Sequence, residues 1–249
     1  MLFFNTKLSF VLELAKKFYF RSFKNITMSI QKNIKAIISE IPDNVKLVAV
    51  SKTKPNDDIL AAYEIGQRIF GENKVQDLEK KHEELPKDIQ WHFIGHLQRN
   101  KVRFIAPFVS LIHAVDSLRL LKKINEEAKK NDRIINCLLQ IHVAEEDTKF
   151  GLNNSELIEI LNSPDLKELK NVKISGLMGM ASYTDDDLQV KKEFSYLKTC
   201  FDEIKEEFFK TSNDFSEISM GMSGDYKIAI EAGSTMIRIG STIFGVRNY

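Results

Sequence analysis

The stretch Leu47-Val48-Ala49-Val50-Ser51-Lys52 decides how the rest of the chain is interpreted. Its apolar and small residues are followed at once by Thr53-Lys54-Pro55, which is the pattern of a buried strand that ends in a polar loop before a helix. Lys52 therefore lies at the carboxyl end of a predicted strand. In a parallel α/β protein sites are built at that rim, and apolar walls there lower the pKa of a lysine enough to make its amine a nucleophile for a carbonyl. A solvated loop lysine beside Lys54 is the plainer interpretation.

Strand-like and helix-like segments alternate from this stretch to the end of the chain. The seven further strands are predicted at Arg68–Phe70, Ile89–His96, Leu111–Asp116, Ile134–Val143, Val172–Met180, Ile218–Met220 and Met236–Ile239. Eight strands alternating with helices in 249 residues predict an α/β fold of the (β/α)8 TIM-barrel type in a single domain, since such barrels need roughly 250 residues. A doubly wound open sheet is the alternative, weakened because no Gly-x-Gly-x-x-Gly turn follows the first strand.

The charge balance and the cysteines limit the classes of protein to which the chain can belong. Thirty-six basic residues against 35 acidic ones leave a formal net charge of +1, so no overall field draws the chain to nucleic acid or to a membrane. No stretch reaches the roughly 18 uninterrupted apolar residues that a spanning helix needs. The two cysteines, Cys137 and Cys200, are far apart, which suits a reducing compartment. We therefore expect a cytoplasmic protein.

The first 27 residues differ in composition from the remainder, being rich in Phe and Lys. Five bases and the single acid Glu13 would leave with this segment, which changes the formal net charge from +1 to −3. The composition fits an amphipathic presequence or a surface anchor. Translation that begins at Met28 is the interpretation we favour, because a helical pattern from Ser29 to Glu40 follows at once. We expect residues 1–27 to be an extension, untranslated or poorly ordered, and residues 28–249 to form the barrel.

Two glycine-containing turns follow the last two predicted strands. Met220-Gly221-Met222-Ser223-Gly224-Asp225 leaves strand seven and enters a helix, and Arg238-Ile239-Gly240-Ser241-Thr242 does the same after strand eight. Such turns offer a serine hydroxyl and successive backbone N–H groups to an anion, and barrels commonly hold a phosphate at this place. Taken singly, each turn is an ordinary connection between a strand and a helix. Together with a nucleophilic Lys52 they describe a ligand with an aldehyde at one end and a phosphate at the other, which is pyridoxal 5′-phosphate (PLP).

Six motifs in the expected order resemble one known family. From about Met28 onward the chain resembles the pyridoxal phosphate homeostasis proteins, single-domain barrels related to the amino-terminal domain of alanine racemase. The motifs are Ala49–Pro55, Phe70–Asn73, Trp91–Lys101, Gly176–Met178, Ser219–Ser223 and Arg238–Gly245.

The resemblance implies roles for six residues toward PLP. Lys52 would form the imine, Ser223, Gly240 and Ser241 would hold the phosphate, Arg238 would face the pyridine nitrogen and Asn73 would lie near the ring. It implies no catalytic residue and no metal ligand. Two departures from the racemase support this: Met180 stands where a histidine flanks the ring, and the chain, ending at Tyr249, has no room for the second domain that supplies a tyrosine base.

The function expected from this resemblance is a PLP carrier that holds the cofactor as a lysine Schiff base in vitamin B6 homeostasis, without robust catalysis. Its expected partners are PLP and PLP-requiring apoenzymes, and we expect a monomer. The alternatives are a PLP-dependent amino-acid racemase or decarboxylase with an unidentified base, and a phosphate-binding barrel without PLP. His92 and His96 are four apart in one predicted strand, roughly 13 Å at 3.3 Å per residue, too far to share a metal. We expect both to be barrel or rim residues, and His113 to lie in the core or a loop.

Overall fold

Eight parallel strands close into a barrel in which each strand pairs with the next and the last pairs with the first. This fold comes from a computed structural model that describes residues 26–144 and 151–245. The strands are β1 (Lys46–Val50), β2 (Ile69–Glu72), β3 (Gln90–Phe93), β4 (Leu111–Val115), β5 (Ile135–Gln140), β6 (Val172–Met178), β7 (Glu217–Ser219) and β8 (Met236–Ile239). The predicted (β/α)8 barrel is thereby confirmed.

Helices surround the barrel. They are α1 (26–40), α2 (Asn56–Tyr63), α3 (Val75–Glu84), α4 (Val102–Ile105), α5 (Leu118–Lys130), α6 (Asn154–Asn162), α7 (Pro164–Glu168), α8 (Asp187–Phe208), α9 (Tyr226–Glu231) and α10 (Ser241–Phe244), with a 3-10 turn at Arg99–Lys101 before α4. The short α7 was not predicted. Ser29 was predicted to begin the first helix, but residues 26–28 are already helical, so Ser29 is an interior residue. The predicted extension otherwise lies outside the described residues.

Strand alternation separates the core into two layers. On β8, Ile237 and Ile239 belong to the large apolar layer between sheet and helices, whereas Met236 belongs to a small cluster on the barrel axis. Val48 and Met178 lie in the same inner cluster. Because successive side chains of a strand point to opposite faces, Arg238 shares the inner face with Met236. The outer layer contains most of the buried apolar area, and each fully buried Ile or Leu contributes about 1.5–3 kcal/mol.

Side-chain caps mark several helix starts. Ser117 accepts a hydrogen bond from the Leu120 N–H at 3.3 Å and caps α5. Asp186 accepts from the Leu188 N–H at 2.9 Å and caps α8. The acidic run Asp185-Asp186-Asp187 therefore lies at the start of α8, where Asp186 caps the helix. No helix among the described residues is both long and apolar enough to cross a bilayer.

Barrel closure sets which strand ends are neighbours. Ala49 pairs with Ile239 on one side of β1 and with Phe70 on the other. Val50 consequently lies beside Gly240, where a Cβ added to the glycine would be 3.3 Å from the Val50 carbonyl oxygen. The carboxyl ends of β8, β1 and β2 thus lie side by side, although their residues are far apart in sequence.

Candidate functional site

Lys52 lies in a tight turn immediately after β1. The Ser51 N–H donates to the Gly71 carbonyl at 3.0 Å, and the Lys54 N–H donates to the Ser51 carbonyl at 3.0 Å. Thr53, inside this turn, has a φ of 66°, a left-handed conformation that is uncommon for a β-branched residue. The structure therefore places Lys52, partly buried, at the carboxyl-terminal rim of the barrel, where the sequence predicted it.

A buried ionic cluster fixes the backbone just before Lys52. Glu72 Oε1 accepts from the Ser51 hydroxyl at 2.6 Å and from Lys81 Nζ at 2.7 Å, and Lys81 Nζ also donates to the Ser51 carbonyl at 2.9 Å. Burial raises the pKa of the Glu72 carboxyl, while the adjacent Lys81 ammonium lowers it. Glu72 Oε2 has no hydrogen-bond partner within the described residues. The cluster therefore carries a large desolvation cost and is held together by Lys81.

Ser223 joins the loops that follow β7 and β8. Its Oγ accepts from the backbone N–H of Gly240 at 3.2 Å and from that of Thr242 at 3.5 Å. Ser241, between them, is exposed. Two amide donors and a hydroxyl thus converge on one point at the rim, and the side chain of Ser241 is open to solvent. This donor set fits the oxygens of a phosphate.

Gly221 shapes the first of these two loops. Its φ is 96°, and an added Cβ would lie 2.7 Å from the Cβ of Ala229. The Gly221 carbonyl accepts from the Arg238 N–H at 2.9 Å, which extends the β7–β8 pairing to the rim. Only glycine satisfies both the left-handed conformation and the close approach of α9. The loop can then bring Ser223 to Gly240.

Arg238 lies inside the barrel on β8, with 4% of its surface exposed. Its Nη1 donates to the Ser219 hydroxyl at 2.6 Å, and its Nη2 donates to the Gly179 carbonyl at 3.0 Å. Burial lowers the pKa of this guanidinium to about 10, so Arg238 stays positively charged at neutral pH. Two acceptors on β7 and after β6 therefore hold a cation on the barrel axis, two residues before Gly240.

Asn73 and Met180 lie on the same rim. Asn73 follows β2, and its backbone touches the loop after β3: a Cβ added to Gly95 would be 2.4 Å from the Asn73 carbonyl oxygen. Met180 follows β6, is partly buried and packs against the inner apolar cluster. Of the six predicted site residues, Ser223 and Gly240 are in direct contact, while Lys52, Asn73, Arg238 and Ser241 lie on neighbouring strand ends or turns of this rim. A cavity of about 1040 Å³ beside α5 and α6 includes none of the six.

The strand predicted at Ile89–His96 is shorter than expected, so His92 and His96 do not share it. β3 ends at Phe93, so His96 lies in the following loop rather than in the strand with His92, and it pairs with Asp116 at 3.2 Å. His92 lies inside the barrel and lines a cavity of about 390 Å³ at the amino-terminal mouth, opposite the rim that carries Lys52. His113 is fully buried and contacts His92. The predicted strand was too long because the apolar run continues through Ile94 into the loop.

Sequence reasoning did not single out Ser219, Glu72 or Lys81 as residues with roles of their own. Ser219 and Glu72 lie inside recognised motifs, and Lys81 lies within an ordinary charged helix. The available signal was the period of two on the strands, which puts Ser219 on the inner face and Glu72 on the outer face with Phe70. A polar residue among apolar neighbours on either face must find a buried partner. The pattern identifies the residue but not its partner, which lies on another strand or, for Glu72, on a helix.

Comparisons with known proteins agree with this barrel. The family model described as the alanine racemase N-terminal domain matches residues 27–248. The pyridoxal phosphate homeostasis protein of Vibrio alginolyticus is 37% identical over 236 residues, which cover 89% of this chain and 99% of that protein. The human pyridoxal phosphate homeostasis protein is 41% identical over 217 residues, covering 82% of this chain and 77% of that protein.

Solved structures of other proteins share this fold. PipY from Synechococcus elongatus, solved with PLP bound, is 34% identical with a TM-score of 0.79, over 87% of this chain and 100% of that chain. Alanine racemase from Clostridium difficile, 15% identical with a TM-score of 0.66 over 89% of this chain and 56% of that one, shares the fold. The chain is therefore a barrel of the class formed by the amino-terminal domain of alanine racemase. Within that class, it belongs to the pyridoxal phosphate homeostasis protein family.

Proposed function

We propose that this chain binds PLP at the carboxyl-terminal rim, as a Schiff base on Lys52, and acts in intracellular PLP homeostasis without robust catalysis. The observation that carries the proposal is that the carboxyl ends of β1, β8 and β7 are neighbours. Lys52 follows β1, β1 pairs with β8, and the Gly240 amide after β8 donates to Ser223 after β7. PLP supplies an aldehyde and a phosphate on one ring. The amine of Lys52 and the donors around Ser223 match those two groups.

Three further residues, Ser241, Asn73 and Arg238, complete the proposed site. Ser241 and the Gly240 amide would hold the phosphate together with Ser223, and Asn73 would lie beside the ring. Arg238 would face the pyridine nitrogen. The rim supports this arrangement, because the N–H groups of Gly240 and Thr242 converge there on the Ser223 hydroxyl oxygen, and a phosphate oxygen would replace that hydroxyl as their acceptor.

Arg238 supports the carrier role over an enzyme. A guanidinium that keeps its proton at neutral pH would donate to the ring nitrogen if Arg238 faces it, and that nitrogen would then stay unprotonated. Such a ring would withdraw few electrons from a bound amino acid, which would disfavour acid–base chemistry at its α-carbon. The alternative function is a PLP-dependent racemase or decarboxylase, since the fold is shared with alanine racemase. Exchange of the alanine α-proton with deuterium distinguishes the two.

We also propose the setting in which the protein works. Residues 28–249 would be the PLP-binding unit, in line with the family match over residues 27–248. The protein would act as a monomer in the cytoplasm and exchange PLP with PLP-requiring apoenzymes, with no nucleic-acid or membrane partner. The near balance of basic and acidic residues, 36 against 35, supports the last point.

Visible absorbance and borohydride fixation test the proposal. The wild type mixed with PLP should absorb in the visible, and reduction with borohydride should fix the cofactor to the peptide that contains Lys52. Lys52→Ala should lose that absorbance and keep weaker PLP binding through the phosphate donors. Lys74→Ala, which removes an exposed lysine on the same rim, is the matched control and should behave as the wild type. Fixation at full yield in Lys52→Ala would refute the assignment, and a wild type without visible absorbance would favour a phosphate-binding barrel without PLP.

A further inference from the structure

A chain of hydrogen bonds crosses the barrel interior from Arg238 to His92. Arg238 Nη1 donates to Ser219 Oγ at 2.6 Å, Ser219 Oγ lies 2.9 Å from His113 Nδ1, and His113 Nε2 lies 3.0 Å from His92 Nδ1. The four residues come from β8, β7, β4 and β3, and all are buried. The chain therefore links the cation near the proposed ring site to the opposite mouth of the barrel.

The direction of this chain follows from the donors. An arginine has no acceptor, so Ser219 Oγ must accept from Arg238. The hydroxyl of Ser219 then has one hydrogen to donate, and His113 Nδ1 is its other side-chain contact within the described residues. His113 Nδ1 consequently accepts, which puts the imidazole hydrogen on Nε2, from where it is donated to His92 Nδ1. His92 then has its own hydrogen on Nε2.

The surroundings favour neutral rings throughout. Burial lowers the pKa of His92 to about 3, with Lys46 acting in the same direction. Burial, His92 and Arg238 together hold the pKa of His113 well below its ordinary range. The positive charge of the chain therefore stays on Arg238. A neutral His113 that accepts from Ser219 also strengthens the Ser219 oxygen as an acceptor, because chained hydrogen bonds polarise one another.

We infer that His113 is a positioning residue for Arg238: by accepting the Ser219 hydrogen, it turns the Ser219 oxygen toward the guanidinium and fixes where that cation lies. The inference rests on the proposed function, in which Arg238 faces the ring nitrogen. His92 supports His113 by accepting from its Nε2–H, which selects the tautomer that leaves Nδ1 free to accept. The residues that set the ring's environment thus include two histidines on strands that carry none of the six predicted site residues.

The tautomers of both histidines test the chain in the protein before PLP is added. Nitrogen-15 NMR of the unloaded wild type at neutral pH should show the Nε2–H form for His92 and for His113. A hydrogen on Nδ1 of His113, or an imidazolium at either residue, would overturn the inference. This readout does not involve PLP, so it decides the inference even if the wild type binds no PLP and the proposed function fails.

Two substitutions of His113 test the link to Arg238. His113→Leu removes the acceptor for Ser219 and should weaken PLP binding by about fivefold, the effect of losing one ordinary hydrogen bond, and should shift the visible absorbance maximum of bound PLP. His113→Asn places an amide oxygen near the position of Nδ1 and should restore both values. A purely structural role for His113 would lower the melting temperature of both variants and leave the absorbance maximum unchanged. That result, or a His113→Leu protein with wild-type affinity and spectrum, would refute the inference.

Discussion

Removing Lys81 should destabilise the barrel by leaving the Glu72 carboxylate buried without its cation. Glu72 has no exposed surface, and Lys81 is its only ionic partner within the described residues, at 2.7 Å. Lys81→Met keeps the side chain as far as Cε and deletes the ammonium group. The Ser51 carbonyl loses the same donor, so the change also affects the backbone just before Lys52.

The size of the effect is limited by protonation of the carboxyl. Breaking a buried pair from one side costs about 3–5 kcal/mol. A buried carboxylate escapes that cost by taking up a proton, which requires about 1.36 kcal/mol for each unit between the pH and its ordinary pKa. From the ordinary value of 4.5 to pH 7, protonating Glu72 costs about 3.4 kcal/mol. We therefore expect Lys81→Met to lose about 3 kcal/mol of unfolding free energy at pH 7.

The sign of the pH dependence follows from the same carboxyl. Burial already raises the pKa of Glu72 in the folded state, and loss of Lys81 raises it further. A carboxyl whose pKa is raised by folding takes up its proton more readily in the folded state, so the folded state is favoured below the unfolded pKa and loses that advantage as pH rises through the folded pKa. The deficit of Lys81→Met relative to the wild type should therefore grow with pH between pH 5 and pH 7, by at most about 1.4 kcal/mol per pH unit.

Urea unfolding of the wild type and Lys81→Met at pH 5, 6 and 7 measures this deficit. The matched control is Glu72→Gln/Lys81→Met, in which no charge is buried, so its deficit should be smaller than that of Lys81→Met at pH 7 and nearly independent of pH. A Lys81→Met deficit below about 1 kcal/mol at pH 7, the size of one ordinary hydrogen bond, would refute the reasoning. So would a deficit that stays constant over this range.

Two further predictions concern the amino terminus and the ring. A chain that starts at Met28 should keep the melting temperature and PLP stoichiometry of the full chain, because residues 26, 28 and 29 are exposed and residue 27 is only partly buried; loss of folded protein would show that the preceding segment belongs to the core. The wild type should exchange the alanine α-proton with deuterium very slowly. Arg238→Glu should speed that exchange, because an anion beside the ring nitrogen favours its protonation. Rapid exchange by the wild type would refute the carrier role, and an unchanged absorbance of bound PLP in Arg238→Glu would show that Arg238 does not face the ring.

The sequence alone determined the local features of this protein. Strand β8 was predicted with the bounds that the structure has, Met236–Ile239, because Ile237 and Ile239 stand in a short run that ends at Gly240. The position of Lys52 followed from the end of one apolar run, and the family followed from six short motifs in the expected order along the chain. Errors occurred where an apolar run continues past a strand, as from Phe93 toward His96, or where a helix begins before its first predicted residue, as at Ser29.

Only the tertiary structure decided which of these local features meet. Closure of the barrel pairs β1 with β8 and so places the turn of Lys52 beside the loop of Gly240. It also sets the inner faces of β3, β4, β7 and β8 around one axis, which links His92 and His113 to Ser219 and Arg238. The period of two along a strand assigns each side chain to a face, but it carries no information on which residue of another strand lies across the barrel. That partner depends on strand order and register, which are properties of the whole closed sheet.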